Sequence, residues 1–392
     1  MRLPMFSDRT RWDLRPNRLA ERLAAKRRAG ARVLDLTVSN PTRVGLPRPD
    51  DLLLPLAETG ALLYEPAPFG LPAARAAVAA DFARRGVPVP AERVLLSAST
   101  SEAYAFLFKL LCDPGDDVLV PRPGYPLFEF LAGLEAVEVR TYPFGHDGEW
   151  HLDTAALRAA AGPRTRAVVV VSPGSPTGAF LKLEEREALE RLCAERGMAL
   201  VSDEVFADFA FREDPRRAAS AARDGEALVF ALGGLSKSCG LPQLKLAWTA
   251  VTGPEALRRD ALARLEVVAD TYLSVSTPVQ VAAPSLLARR EELQEPIRER
   301  IFENLGALRS ALRPGSPATL LEPEGGWYAV LRVPATRSEE ERVTRLLDER
   351  DVLVHPGYFF DFPGEAYLVL SLLPPVADFA EGAARLLADL VL

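Results

Sequence analysis

An α/β fold with a mostly parallel sheet is predicted for this chain by three observations. Seven short apolar runs follow one another between residues 93 and 253, helical stretches separate several of them, and the chemistry-bearing residues fall just after the runs. Strands that alternate with helices form a parallel sheet covered on both faces. Ligands of such sheets sit outside the carboxyl ends of the strands.

In chain order the runs are "RVLLSAS" (93–99), "DVLVPRP" (117–123), "AVEVRTYP" (136–143), "RAVVVVSP" (166–173), "MALVSDEV" (198–205), "ALVFALGG" (227–234) and "LAWTAVTG" (246–253). Apolar runs this short and this rich in Val and Leu read as buried strands. "SEAYAFLFKLLC" (101–112) and "KLEEREALERLCAERG" (182–197) read as helices between them. After about residue 278 the pattern changes: a long helical stretch (284–313) leads to short strands around "GGWYAVLRVP" and "AYLVLSLLPP". The reading is a large domain over 45–285 with a seven-stranded sheet, and a smaller α+β domain made by both ends, 1–44 and 286–392. No GxGxxG follows a strand, so a dinucleotide fold has no local support.

A net charge of −7 gives no nucleic-acid footprint, and no apolar run approaches the length needed to span a bilayer. The opening "MRLPMFSDRTRWDLRP" has no apolar core of a secretory signal. Cys112, Cys193 and Cys239 are an odd, scattered set without metal or disulfide spacing, which suits a reducing cytoplasm. His146, His151 and His355 form no ligand pair, so no metal is expected.

The chain uses arginine almost everywhere. Its five lysines are Lys26, Lys109, Lys182, Lys237 and Lys245, and two of them fall within "GLSKSCGLPQLKLAW" (234–248). Only a lysine amine can lose its proton and attack a carbonyl. Ahead of this segment come, in order, a hydroxyl-rich turn "SASTSEAY" (97–104), an aromatic "PGYP", a "SPGSPTG" loop and "SDEV". With that ordered set the sequence resembles the class I/II aminotransferases, the fold-type I enzymes dependent on pyridoxal phosphate, from about residue 33 to the C-terminus.

The resemblance implies a role for each piece. Lys237 matches the Schiff-base lysine, and Asp203 the carboxylate that pairs with the pyridine nitrogen and keeps the ring an electron sink. Thr100 and Ser101, at a helix N-terminus, match the phosphate cradle; read alone, the same turn is an ordinary helix cap. Tyr125 matches the aromatic stacked on the ring. Tyr64 matches a tyrosine that reaches the phosphate of a neighbouring subunit, which implies a homodimer with shared sites. Asn40, Trp327 and Tyr358 border the substrate pocket on the same ground.

Several family residues are replaced. Ser175 and Phe206 stand where an asparagine and a tyrosine usually donate to the phenolic oxygen of the cofactor, so the lysine imine is expected to keep its proton to higher pH. Lys245 stands where an arginine usually holds the phosphate, keeping the charge but losing the fork. Gly234 replaces a serine and Ser99 a glycine. Val369, in "YLVLSLL", replaces the arginine that clamps a substrate carboxylate; Arg43 and Arg122 are substitutes by residue type only. The expected activity is transfer of an amino group between a small-molecule amino donor and an oxo acceptor through Lys237. Another pyridoxal-phosphate chemistry (lyase, decarboxylase or oxidase), or a non-catalytic binder of the cofactor, is left open by these replacements.

Overall fold

The computed structural model describes residues 5–273 and 275–390. A two-residue strand, β1 (Leu34–Asp35), precedes the main sheet, which contains β2 (Val94–Ser97), β3 (Asp117–Arg122), β4 (Glu138–His146), β5 (Trp150–Leu152), β6 (Thr165–Val171), β7 (Ala199–Asp203), β8 (Val229–Gly234) and β9 (Ala247–Thr252). All seven apolar runs are strands of this one sheet. The sheet has eight strands rather than the expected seven, because β5 folds back on β4 as an antiparallel edge hairpin. Three residues are too few for a period of two to show in sequence.

The strand order is β2-β9-β8-β7-β6-β3-β4-β5. From β8 to β4 the pairing is parallel, and β9 runs antiparallel between β8 and β2. Alternation along the strands sends side chains into two cores. Val169 and Val201 face helices Thr100–Leu111 and Glu255–Tyr272 through Phe106, Leu107 and Leu265. Val168, Val170 and Leu200 face the opposite layer through Leu157, Leu189 and Leu192. Burial on both faces is why these strands read as unbroken apolar runs.

The C-terminal part holds β10 (Thr319–Leu321), β11 (Tyr328–Arg332), β12 (Val352–Leu353), β13 (His355–Pro356) and β14 (Tyr367–Ser371). Four of them form an antiparallel sheet in the order β10-β11-β14-β13, while β12 pairs in parallel with β1. Leu34 and Leu36 join Ile301, Leu346, Leu368, Leu370 and Phe379 in one core, so the two ends of the chain pack together. Helix Val376–Asp389 carries Gly382 where Leu36 presses on it, and a Cβ there would lie 3.0 Å from Leu36.

The two sheets are tied at the "SPGSPTG" loop. Gly178 accepts hydrogen bonds from the N–H groups of Glu324 and Gly325 at 3.2 and 3.0 Å. Its φ is +73°, and a Cβ would stand 2.6 Å from the Gly325 oxygen and 2.7 Å from Pro323 Cβ. Gly178→Ala therefore combines left-handed strain with a backbone clash, and is expected to cost roughly 2–3 kcal/mol. Gly86→Ala, at φ +77° with nothing within 4 Å, carries the strain alone and is expected to cost about 1 kcal/mol. Calorimetric unfolding of both variants checks the difference; equal losses would remove the clash from the explanation.

Candidate functional site

Asp203 ends β7, and Lys237 lies in the single-turn helix Leu235–Ser238 that follows β8. Because Asp203 is in register with Leu232 on the neighbouring strand, both arrive at the carboxyl edge of the sheet. Gly234 lets β9 close against this corner: a Cβ there would lie 3.1 Å from Ala247 Cβ, which leaves little room for the serine the resemblance leads one to expect. The Ser238 hydroxyl donates to Gly234 O at 2.9 Å and fastens the turn that carries Lys237.

The Lys237 amine stands over two aromatic faces, 5.1 Å from the Trp327 ring centroid and 5.6 Å from that of Phe206. Phe206 and Phe209 meet Trp327 edge-to-face at 5.3 and 5.2 Å. Such a wall excludes water but stabilises a cation only modestly. Burial accordingly pushes the Lys237 amine below the usual lysine range, opposed only by the charge of Asp203. Asp203 is itself buried, and its carboxyl is pushed up to about 6 by loss of solvent. Two donors work against that push: the Val205 N–H reaches Oδ1 and the Tyr104 hydroxyl reaches Oδ2, both at 3.2 Å. Tyr125 is within electrostatic reach of Asp203 and Tyr328, and burial with those neighbours raises its phenol to about 12.

Beside this pair, helix Thr100–Leu111 presents its N-terminus. Ser99 caps it by accepting from the Glu102 N–H at 3.1 Å, and Glu102 returns by accepting from the Ala98 N–H at 2.6 Å. The helix cap read from the sequence is thus formed. The cap uses Ser99 and Glu102, while the N–H groups and hydroxyls of Thr100 and Ser101 donate to nothing among the described residues.

The remaining expected residues divide. Ser175 is buried in the loop after β6, lining a cleft with Pro121, Pro123, Phe144 and Leu152. Lys245 is exposed in a left-handed conformation just before β9. Tyr64 is 75% exposed, on a separate cleft with Pro68, Gly70, Asp270 and Thr277. Trp327 is fully buried and shows Lys237 only a ring face. Tyr358 is half-exposed and packs edge-to-face on Phe359. Asn40 is exposed and spends its Oδ1 on the N–H and hydroxyl of Thr42 at 3.0 and 2.8 Å, an Asx turn rather than a pocket wall.

Val369 is fully buried in an apolar cluster with Trp150, Ala179, Val330, Phe360 and Phe362. The position is therefore packed and not merely short of an arginine. Arg122 is exposed and tied to Asp361 O at 2.9 Å, and Arg43 is exposed. Sequence reasoning missed Tyr104, because a tyrosine on the apolar face of a helix reads as core. Nothing local distinguishes it from Phe106 or Phe108.

Known proteins resemble this chain over most of its length. The description "aminotransferase class I and II" matches residues 40–372. The chain is 26% identical to the glutamate-pyruvate aminotransferase AlaA of Escherichia coli K12, over 89% of this chain and 88% of that protein. It is 27% identical to an alanine aminotransferase of Mycobacterium tuberculosis, over 94% and 87%. A crystal structure of an Escherichia coli aminotransferase superposes with a TM-score of 0.87 at 23% identity, covering 100% of this chain and 99% of that one. The Pyrococcus furiosus alanine aminotransferase gives 0.86 at 23%, covering 95% and 96%. At these identities the two structures show the fold.

Two titrations follow. The Lys237 amine should lose its proton below the ordinary lysine range, and Asp203→Asn should move it lower still by removing the charge that opposes burial. The pH dependence of acylation of the Lys237 peptide in apoprotein, read by mass spectrometry, checks this; a midpoint in the ordinary lysine range contradicts it.

For Asp203 the sign is the reverse of the usual carboxylate case. The folded chain keeps this proton up to about pH 6 and the unfolded chain releases it near pH 4, so stability falls as pH rises across that interval. Some two pKa units correspond to roughly 3 kcal/mol at neutral pH. Asp203→Asn should therefore raise the denaturation midpoint of apoprotein at pH 7.5 and flatten its pH dependence between 4 and 6; unchanged slopes would contradict this.

Proposed function

Because this chain belongs to the aminotransferase class I and II family, and is an amino-group transferase that uses pyridoxal phosphate, we propose that Lys237 and Asp203 are the residues that carry its reaction. The donor set fits the cofactor. It comprises an amine of lowered basicity, a buried carboxylate for a ring nitrogen, and a helix N-terminus with two free hydroxyls for a phosphate. Pyridoxal phosphate supplies an aldehyde carbon and an electron-accepting ring.

In this reading Lys237 would be the residue that holds the cofactor's aldehyde, and its neutral amine would be the base that moves the proton of the donor Cα. Asp203 keeps the ring nitrogen protonated. The N–H groups and hydroxyls of Thr100 and Ser101 take the phosphate, with Lys245 adding charge, and Tyr125 covers the ring. Phe206 offers no hydroxyl, so Ser175 is the one side chain left to donate to the phenolic oxygen.

A homodimer is part of the proposal. Leu62, Leu63, Tyr64, Val267 and Leu273 are each at least 65% exposed, more apolar surface than single scattered residues account for. Free Cys112, Cys193 and Cys239 support a reducing, cytoplasmic setting; among the described residues no helix is long and apolar enough to cross a membrane.

The observation that carries the proposal is the half-buried Lys237 amine over the Phe206 and Trp327 rings, within electrostatic reach of the buried Asp203. Purified protein saturated with pyridoxal phosphate should be yellow, and borohydride should fix the cofactor's mass on the Lys237 peptide. Lys237→Ala should lose both, with amino transfer down at least about a thousandfold. Fixation on another lysine would overturn the assignment.

A further inference from the structure

We infer that Tyr104 is a positioning residue of this site: its hydroxyl holds one oxygen of Asp203 so that the carboxylate stays ionised and correctly turned toward the ring nitrogen. The inference rests on the reading of Asp203 above and adds a residue to it.

The geometry is specific. Tyr104 lies on the inner face of helix Thr100–Leu111, one turn below the free hydroxyls of Thr100 and Ser101, and is 1% exposed. Its hydroxyl makes one hydrogen bond among the described residues, to Asp203 Oδ2 at 3.2 Å. A buried phenol costs free energy unless its hydroxyl finds a partner, and this one has a partner of the highest functional weight in the molecule. The ring cannot drift: Phe128 meets it edge-to-face at 5.4 Å and Phe108 lies 5.9 Å away. Phe128 in turn meets Tyr125 edge-to-face at 5.9 Å, so one aromatic chain links the Asp203 partner to the residue that covers the cofactor ring.

With Val205 N–H on Oδ1 and Tyr104 on Oδ2, each carboxylate oxygen is held by one donor from its own chain. The remaining lone pairs are thereby oriented, and the carboxylate cannot flip. The groups facing Asp203 are Tyr104 from the helix, Tyr125 from the loop after β3, Glu204 next in the chain and Lys237 after β8. Glu204 disfavours the ionised form. Apart from Lys237, Tyr104 is the one side chain among these that favours it.

Tyr104→Phe removes the hydroxyl and keeps the packing. Cofactor affinity of apoprotein, measured by fluorescence titration with pyridoxal phosphate from pH 5 to 9, should weaken about tenfold, the scale of a hydrogen bond to a charged group. Tight binding should also set in at higher pH than in the parent. With ring-labelled cofactor, the ¹⁵N shift of the bound nitrogen should move toward the unprotonated value. In an Asp203→Asn background the same substitution should change affinity less than twofold.

If Asp203→Asn alone alters neither affinity nor the nitrogen shift, the reading of Asp203 fails. If Asp203→Asn alters both while Tyr104→Phe leaves affinity, pH onset and nitrogen shift at parental values, the positioning role of Tyr104 fails and Asp203 stands. Circular dichroism of each variant confirms that the fold is retained, and Tyr104→Leu, which loses ring and hydroxyl together, separates packing from hydrogen bonding: a nitrogen shift that moves in Leu but not in Phe overturns the inference.

Discussion

An amine and a carboxylate held out of water against aromatic rings are each costly in charged form, and the rest of this structure is arranged around that cost. Lys237 is made less basic by burial and Asp203 less acidic, so the charged form of each is favoured only by its neighbours. For Asp203 those neighbours are the Val205 N–H, the Tyr104 hydroxyl and Lys237 itself. The same burial makes the pair useful. An uncharged lysine is a nucleophile and a base, and an anion in a dry site acts strongly on any ring nitrogen brought beside it.

The supporting layer is built so that this corner cannot relax. Glu204, buried next to Asp203, accepts from the Ser220 hydroxyl and the Ala221 N–H at 2.8 Å and from Arg85 at 3.1 Å. A second buried carboxylate is tolerated because it is matched by these donors and by the Arg85 charge. It ties the end of β7 both to the 218–222 loop and to helix Pro72–Arg84 through the adjoining Arg85. On the lysine side, Gln294 donates to Ser238 O at 2.8 Å from helix Arg290–Ala311. The corner that carries Lys237 and Asp203 is thereby tied to helices from both halves of the chain.

The main sheet was legible because its strands are buried on both faces, and unbroken Val- and Leu-rich runs have few other readings at that length. Asp203 and Lys237 stand out in the sequence because they fall at the end of one strand and just after another. β5 was not, since three residues have no period. Tyr104 was not, since its role depends on a strand 99 positions away. The cluster around Val369 is an intermediate case: the missing arginine is visible in one residue, but the packing by Trp150, Phe360 and Phe362 comes from three separate segments. At Asn40 the structure adds what the sequence did not show, a side-chain oxygen that accepts from the N–H and hydroxyl of Thr42.

The replacements share a direction. Phe206 removes a hydroxyl beside the lysine, Val369 removes a guanidinium, and both positions are filled by packed apolar groups rather than by solvent. Each change lowers the local polarity, and in a less polar site the charges that remain interact more strongly. The Asp203–Lys237 pair and its Tyr104 donor therefore carry more of the electrostatic work than they would in a site rich in competing donors. A scaffold shared with known aminotransferases thus holds Lys237 and Asp203 together with neighbouring positions packed by apolar side chains. Burial sets the constraint: a hydroxyl at 206 would have to find a partner beside Trp327, and a charge at 369 would have to be desolvated among Trp150, Phe360 and Phe362.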